Sequence, residues 1–213
     1  MTSAQCPAFL PLGVVLAGGL ARRMGGGDKA RLRVGGRTIL ERVLARLKPQ
    51  CAALILNANG DPTRFADTGL DVVPDSVPGF AGPLAGILAG LDWAAAHAPD
   101  VSDVVSVPGD CPFLPADLVV RLVAVRATLR TPLACAHSGE WRHPVIGLWP
   151  VDLRQELRRA LVDEGLHKIE TFTARYGVAI ADWPAIPIDP FFNVNTPRDA
   201  AEAERIAVHH SDH

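Results

Sequence analysis

Leu12-Gly13-Val14-Val15-Leu16-Ala17 carries no polar side chain, and Gly18-Gly19 follows it directly. An apolar run this short, cut off by glycine, is the pattern of a strand buried on both faces. Residues 51–56, 70–73 and 103–107 read as strands of the same kind. Each ends in polar or turn-forming residues: Asn57-Ala58-Asn59-Gly60, Pro74-Asp75 and Pro108-Gly109-Asp110.

Helices are expected between these strands. Thr38-Ile39-Leu40-Glu41 is a capping box, and Val43, Leu44 and Leu47 continue at helical spacing until Pro49. Residues 84–97 form a second helical pattern entered through Gly82-Pro83, where a proline without an N–H costs nothing. Further on, 118–125 and 153–161 read as helices and 133–136 and 145–149 as strands. Asn193-Val194-Asn195-Thr196-Pro197 precedes a last helix running to about residue 208, with residues 209–213 fraying.

Alternating strands and helices predict an α/β fold, a mostly parallel sheet with helices on both faces. With 213 residues, 48% of them hydrophobic, one domain over 1–213 is the expectation. Sheets of this class bind ligands beyond the carboxyl ends of their strands. Gly18, Asn57, Asp75 and Asp110 all fall there, so one crevice is expected to gather them.

A formal charge of −2 leaves no broad basic footprint for a nucleic acid. Cys6, Cys51, Cys111 and Cys135 are widely spaced, without a C-x-x-C pair, which argues against a disulfide framework or a zinc site. Residues 1–11 lack a signal-peptide pattern, and no stretch reaches the ~18 apolar residues of a membrane span. The expectation is a soluble, cytoplasmic protein with no membrane partner.

Residues 16–29 hold five glycines, Arg22, Arg23 and Lys29. Glycine lets backbone N–H groups approach a ligand closely, and the cations answer phosphate charge. On composition alone, a solvated surface loop stays open. A Walker A loop does not align, because Lys29 is preceded by Asp28 and followed by Ala30. Gly25-Gly26-Gly27-Asp28-Lys29-Ala30 satisfies G-x-G-x-x-A but lies eight residues past the strand end, leaving a dinucleotide oxidoreductase a weak alternative.

The whole loop resembles the signature L-A-G-G-x-x-x-R-M-G-x-x-K of the molybdenum cofactor guanylyltransferases, the MobA family, with the unusual triple glycine Gly25-Gly26-Gly27 setting Lys29 one residue further on. The resemblance continues through Asn57-Ala58-Asn59, Asp75-Ser76, Gly82-Pro83-Leu84-Ala85-Gly86, Asp110-Cys111-Pro112, His143-Pro144 and Asn193-Val194-Asn195-Thr196-Pro197. It implies a Rossmann-like nucleotidyltransferase fold, with nucleotide bound by the N-terminal half and a pterin cofactor by the C-terminal half. It implies transfer of GMP from GTP to molybdenum-molybdopterin, with Mg2+ as cofactor and transient contacts to cofactor-delivery proteins or molybdoenzyme apoproteins. By the same resemblance Leu16, Ala17, Gly18, Gly19, Lys29, Asn57, Asp75 and Asp110 bind the nucleotide, and Asp110 also holds the metal. Lys29, Asp110 and Arg23 are the catalytic candidates, and Gly82, Pro83, His143, Asn193 and Asn195 the pterin candidates.

Related cytidylyltransferases of the same cofactor have L-A-A-G, so Gly19 is the residue that goes with guanine. Sugar-nucleotide transferases carry glycine-threonine-arginine where this chain has Leu20-Ala21-Arg22-Arg23-Met24. A CTP- or sugar-phosphate-using transferase, and a nucleotide-gated carrier without turnover, are the alternatives. Plainer roles stay open too: Asn57, Asp75 and Asp110 as turn residues, Thr196 as a helix cap, Cys111 as a buried thiol.

Overall fold

The computed structural model describes residues 10–18, 29–77, 79 and 82–209. Strand β1 (Leu12–Leu16) lies at the heart of the sheet, and its Leu12, Val14 and Val15 are wholly buried. Side chains alternate along a strand, and Leu12 and Val14 face one apolar cluster while Val15 faces the other. The continuous apolar run has the cause the sequence suggests: cover on both faces.

A hairpin of β2 (Arg33–Val34) and β3 (Arg37–Thr38) leads into helix α1 (Ile39–Leu47). The capping box forms, Thr38 Oγ1 accepting from Glu41 N–H at 3.1 Å and Glu41 accepting from Thr38 N–H at 2.6 Å. Then come β4 (Ala53–Asn57), β5 (Asp71–Val73), α2 (Pro83–His97) and β6 (Asp103–Pro108). The second half adds α3 (Leu118–Leu129), β7 (Leu133–Ser138), β8 (Trp141–Pro150) and α4 (Arg154–Val162). It ends with α5 (Ile169–Thr173), β9 (Val178–Trp183) and α6 (Pro197–His209).

The seven-stranded sheet has the order β5-β4-β1-β6-β8-β7-β9. β8 is antiparallel to both neighbours, β6 and β7, and every other pairing in the sheet is parallel. One domain results, with α2, α4 and α5 on one face and α1, α3 and α6 on the other. No helix among the described residues is long and apolar enough to cross a membrane.

Several elements differ from the sequence reading. The strand expected from Cys51 begins at Ala53, because Lys48–Gln50 extend α1 as a 3-10 turn. That turn carries Gln50 inward, where its amide bonds the carbonyls of Arg46 and Pro115 and accepts from Val119 N–H at the start of α3. β8 begins four residues before the expected Val145, α3 runs on to Leu129, and the hairpin β2–β3, α5 and β9 were not anticipated. β9 alternates Ala179, Ala181 and Trp183 inward, and alanine is a weak strand signal.

Helix α2 is buried almost all round its first half and sits unusually close to β1. A Cβ added at Gly90 would lie 2.4 Å from Val14 Cγ2, and one at Gly86 would lie 2.2 Å from Asn57 Oδ1. These two glycines, one helical turn apart, set the distance between helix and sheet. Overpacking costs ~1–3 kcal/mol against a helix-propensity gain of up to ~1 kcal/mol, so Gly90→Ala should lower stability by about 1–2 kcal/mol. Urea unfolding checks this: adding Val14→Ala, which vacates the space, should cost less in the Gly90→Ala background than in the parent.

Candidate active site

Two backbone hydrogen bonds carry the parallel ladder past the end of β1. Ala17 N–H donates to Asn57 O and Gly109 N–H donates to Leu16 O, both at 2.9 Å. Three strands therefore end level, and the residues after each open into one crevice. It has a volume of about 940 Å³ and is lined by Leu16, Gly18, Asn57, Asp75, Asp110, Gly82, Pro83, His143 and Asn193 among the expected residues. Ala17 lies beneath this lining, 7% exposed. Gly19 and Arg23 fall outside the described residues.

Gly82 has φ +145°, a conformation that L side chains rarely adopt. It turns the chain into Pro83, the first residue of α2, as the Gly-Pro pair predicts.

Asn57 is 5% exposed and both hydrogens of its amide are engaged. Its Nδ2 donates to Val73 O at 3.1 Å and to Asp75 Oδ1 at 3.0 Å, while Gly86 packs against its Oδ1. Asn59, which sequence reasoning missed as a site residue, completes the clamp. Its Nδ2 donates to Asp75 Oδ2 at 2.8 Å and its Oδ1 accepts from Asp75 N–H at 2.9 Å. Asn57-Ala58-Asn59 was visible as a pattern, and the signal was the pair of amides two residues apart. Each Asp75 oxygen receives one hydrogen bond and keeps a lone pair for a ligand.

Asp110 follows β6 and lines the crevice, its side chain 20% exposed. Burial pushes its carboxyl above the usual carboxylate range, with the Lys29 charge opposing. Lys29 Nζ stands 4.0 Å from Asp110 Oδ2 and donates to Asn195 Oδ1 at 2.7 Å. The structure thus brings Asn195 to Lys29. Asn193 lines the crevice and accepts from the Cys111 thiol, and Val194 N–H donates to Asp110 O at 3.0 Å. Cys111 is wholly buried and its thiol is pushed well up by burial, so it is the inert thiol and no nucleophile.

The N-terminus of α6 is filled from within. Asp199 accepts from Asn195 N–H and Thr196 N–H at 2.9 and 2.8 Å, and Thr196 Oγ1 accepts from Asp199 N–H at 3.2 Å. Thr196 is a cap. His209 belongs to α6, and residues 210–213 lie outside the described residues.

No group of three or more His, Cys, Asp or Glu residues among the described residues could hold a metal ion. Asp110 nevertheless suits a divalent cation of the kind that takes one carboxylate and completes its shell with phosphate oxygens and water. It is a carboxylate in the crevice lining whose burial leaves its charge poorly compensated. At the other end of the crevice stand His143 and Arg142. Sequence reasoning missed Arg142, whose side chain makes no hydrogen bond or ion pair among the described residues and which borders His143 in β8.

Residues 13–178 match the family model of the MobA-like NTP transferase domain. A relative named molybdenum cofactor guanylyltransferase, from Bradyrhizobium sp. (strain ORS 278), is 64% identical over 196 residues, covering 92% of each chain. The crystal structure of molybdopterin-guanine dinucleotide biosynthesis protein A from Archaeoglobus fulgidus is similar with TM-score 0.71 at 22% identity, over 93% of this chain and 99% of its own. That of 4-diphosphocytidyl-2C-methyl-D-erythritol synthase from Anaerococcus prevotii has TM-score 0.69 at 14% identity, over 94% of this chain and 99% of its own. The two structures share the fold.

Because burial works against the Asp110 charge, Asp110→Asn should unfold at or above the parent's thermal midpoint at neutral pH. A raised carboxylate pKa contributes stability that grows as pH falls, so the gain of the variant should shrink in acid. Calorimetry across pH checks the sign, and a midpoint clearly below the parent's at pH 7 would contradict it.

Proposed function

The chain belongs to the MobA-like NTP transferase family, and on that premise we propose that it transfers GMP from GTP to the terminal phosphate of molybdenum-molybdopterin. The products are the molybdopterin guanine dinucleotide and pyrophosphate. The observation that carries the reading is the convergence of Asn57, Asp75 and Asp110 on one crevice with Lys29 beside Asp110.

In this reaction an oxygen of the acceptor phosphate forms a bond to the α-phosphorus as the bond to the β-phosphate oxygen breaks, and pyrophosphate leaves with the electron pair. The acceptor phosphate is already ionised near neutral pH, so no strong general base is required. Binding both reactants in line can supply ~7–11 kcal/mol, whereas one cation ~4 Å from a phosphate supplies ~4 kcal/mol at an intermediate dielectric. Alignment is the larger effect and charge the smaller.

In this reading Leu16 and Gly18 form the nucleotide wall with Ala17 behind them, and Lys29 meets the phosphates; Gly19 and Arg23, outside the described residues, keep the roles that the resemblance implies. Asn195 holds Lys29 in place. Asp110 would hold Mg2+ together with phosphate oxygens, and the bound ion would neutralise charge that builds on them. Gly82, Pro83, His143 and Asn193 face the pterin acceptor, with Arg142 answering its phosphate. Most of the nucleotide residues thus come from the N-terminal half, and His143, Asn193 and Arg142 bring the acceptor side from the C-terminal half. We place the reaction in the cytoplasm, with passing contacts to proteins that deliver the cofactor or receive the product.

Asp75 supports guanine over cytosine. Its two oxygens, each with one lone pair free, match the adjacent N1–H and N2–H donors of guanine, and cytosine has no such pair. Asn57 and Asn59 hold both oxygens in a fixed orientation, so a base without the matching donor pair forgoes two hydrogen bonds there.

The assay combines purified protein, Mg2+, molybdenum-molybdopterin and a nucleoside triphosphate. Pyrophosphate should appear with GTP and stop on chelation of the metal. Equal or faster release with CTP would sink the guanine assignment, and tight binding without any release would favour a carrier.

Lys29→Ala separates the roles further. Its kcat/KM should fall on the order of 10²-fold, as for loss of one group that stabilises developing charge, while guanosine affinity stays near the parent's. Calorimetric titration with guanosine tests this, and a matching loss of guanosine affinity would remove Lys29 from the phosphates.

A further inference from the structure

His143 lines the crevice, and its ring centroid stands 4.9 Å from that of Phe191. Its Nε2 lies 2.8 Å from Ser138 Oγ, and the Ser138 hydroxyl donates to Asp189 Oδ1 at 2.7 Å. The same Asp189 oxygen accepts from Phe191 N–H at 3.0 Å, which holds the carboxylate in place. Ser138 is 1% exposed, so no water competes freely for its hydroxyl.

An ionised carboxylate only accepts hydrogen bonds. The Ser138 hydrogen is therefore committed to Asp189, and Ser138 Oγ meets His143 as an acceptor. Nε2 must carry the hydrogen, and in a neutral ring Nδ1 then carries none. Nδ1 makes no hydrogen bond to a described residue, and no buried side-chain nitrogen or oxygen among the described residues lacks a partner. Nδ1 is thus accessible to solvent, on a side chain that lines the crevice.

We propose that Ser138 and Asp189 are positioning residues that lock His143 as its Nε2–H tautomer, so that Nδ1 offers a lone pair to an N–H or O–H donor of the acceptor substrate. The inference rests on the reading of this end of the crevice as the acceptor side, and it adds the polarity of the contact. A phosphate oxygen, which also accepts, is disfavoured against a neutral His143. Burial favours the neutral ring, with His137 acting the same way and Asp189 opposing. Arg142 lines the same crevice and carries the charge that a phosphate needs. The two neighbours in β8 therefore divide the acceptor: the cation takes its phosphate and the imidazole takes a donor on its ring system.

The test uses Ser138→Ala in the full chain, its fold checked by thermal melting. Long-range 1H–15N spectra of His143, assigned by the loss of its signals in His143→Gln, should show Nε2 protonated and Nδ1 bare in the parent. In Ser138→Ala they should show a mixture of tautomers. The KM for molybdenum-molybdopterin should rise about tenfold, the value of one well-placed hydrogen bond, with the KM for GTP unchanged. A parent-like His143 spectrum in Ser138→Ala overturns the inference, as does an equal rise in the KM for GTP. Should the parent transfer nothing to the pterin, the proposed function fails, while the spectra still decide whether Ser138 sets the tautomer.

Discussion

Everything in this molecule that concerns a ligand depends on β1 being paired on both sides by parallel strands that stop with it. Parallel ladders have evenly spaced, slanted bonds, so strands in register finish at one level. Leu16 lies opposite Asn57 on one side and Pro108 on the other, and one further bond on each side stitches Ala17 and Gly109 to that edge. Asn57, Asp110 and Gly18 are brought together by this alignment. Close packing preserves it from below, because Gly90 admits Val14 and Gly86 admits Asn57 against α2. A shift of one residue in either ladder would turn Asn57 or Asp110 away from the crevice.

The groups gathered there are poorly suited to folding and well suited to charge. Asp110 sits where burial disfavours its ionised form. An uncharged residue of that shape would be easier to bury, and a cation with bound phosphates would remove the penalty. Asp75 solves the opposite problem: Asn57 and Asn59 satisfy its oxygens before any ligand arrives and fix its orientation. One carboxylate is left needing a partner, and the other is already held in one orientation.

The sheet's first half was legible because its signals are local. Continuous apolar runs, the capping box at Thr38 and the Gly82-Pro83 entry each act within a few residues, and each formed as expected. β9 was not legible, since its inward alanines carry little strand preference, and β8 was expected only over 145–149, because Pro144 interrupts the strand pattern before it. Within the site, Asn57, Asp75 and Asp110 stood out as polar residues at strand ends. What stayed hidden was which residue holds which. Lys29 is held by Asn195, 166 positions away, and Ser138 by Asp189, 51 positions away. No periodicity or turn rule reports a pairing over such a separation.

A likeness in fold at 14% identity, as to 4-diphosphocytidyl-2C-methyl-D-erythritol synthase, fixes neither a base nor an acceptor. The choice must lie in side chains that reach the crevice and in the neighbours that orient them. In this chain each reaching group has such a neighbour: Asn59 for Asp75, Asn195 for Lys29, Ser138 for His143. Replacing a neighbour leaves the reaching group present but free to turn, and a group misplaced by about 1 Å can lose on the order of 10²-fold in rate. On the proposed assignment selectivity is consequently a property of pairs, in which the second member fixes where the first can reach.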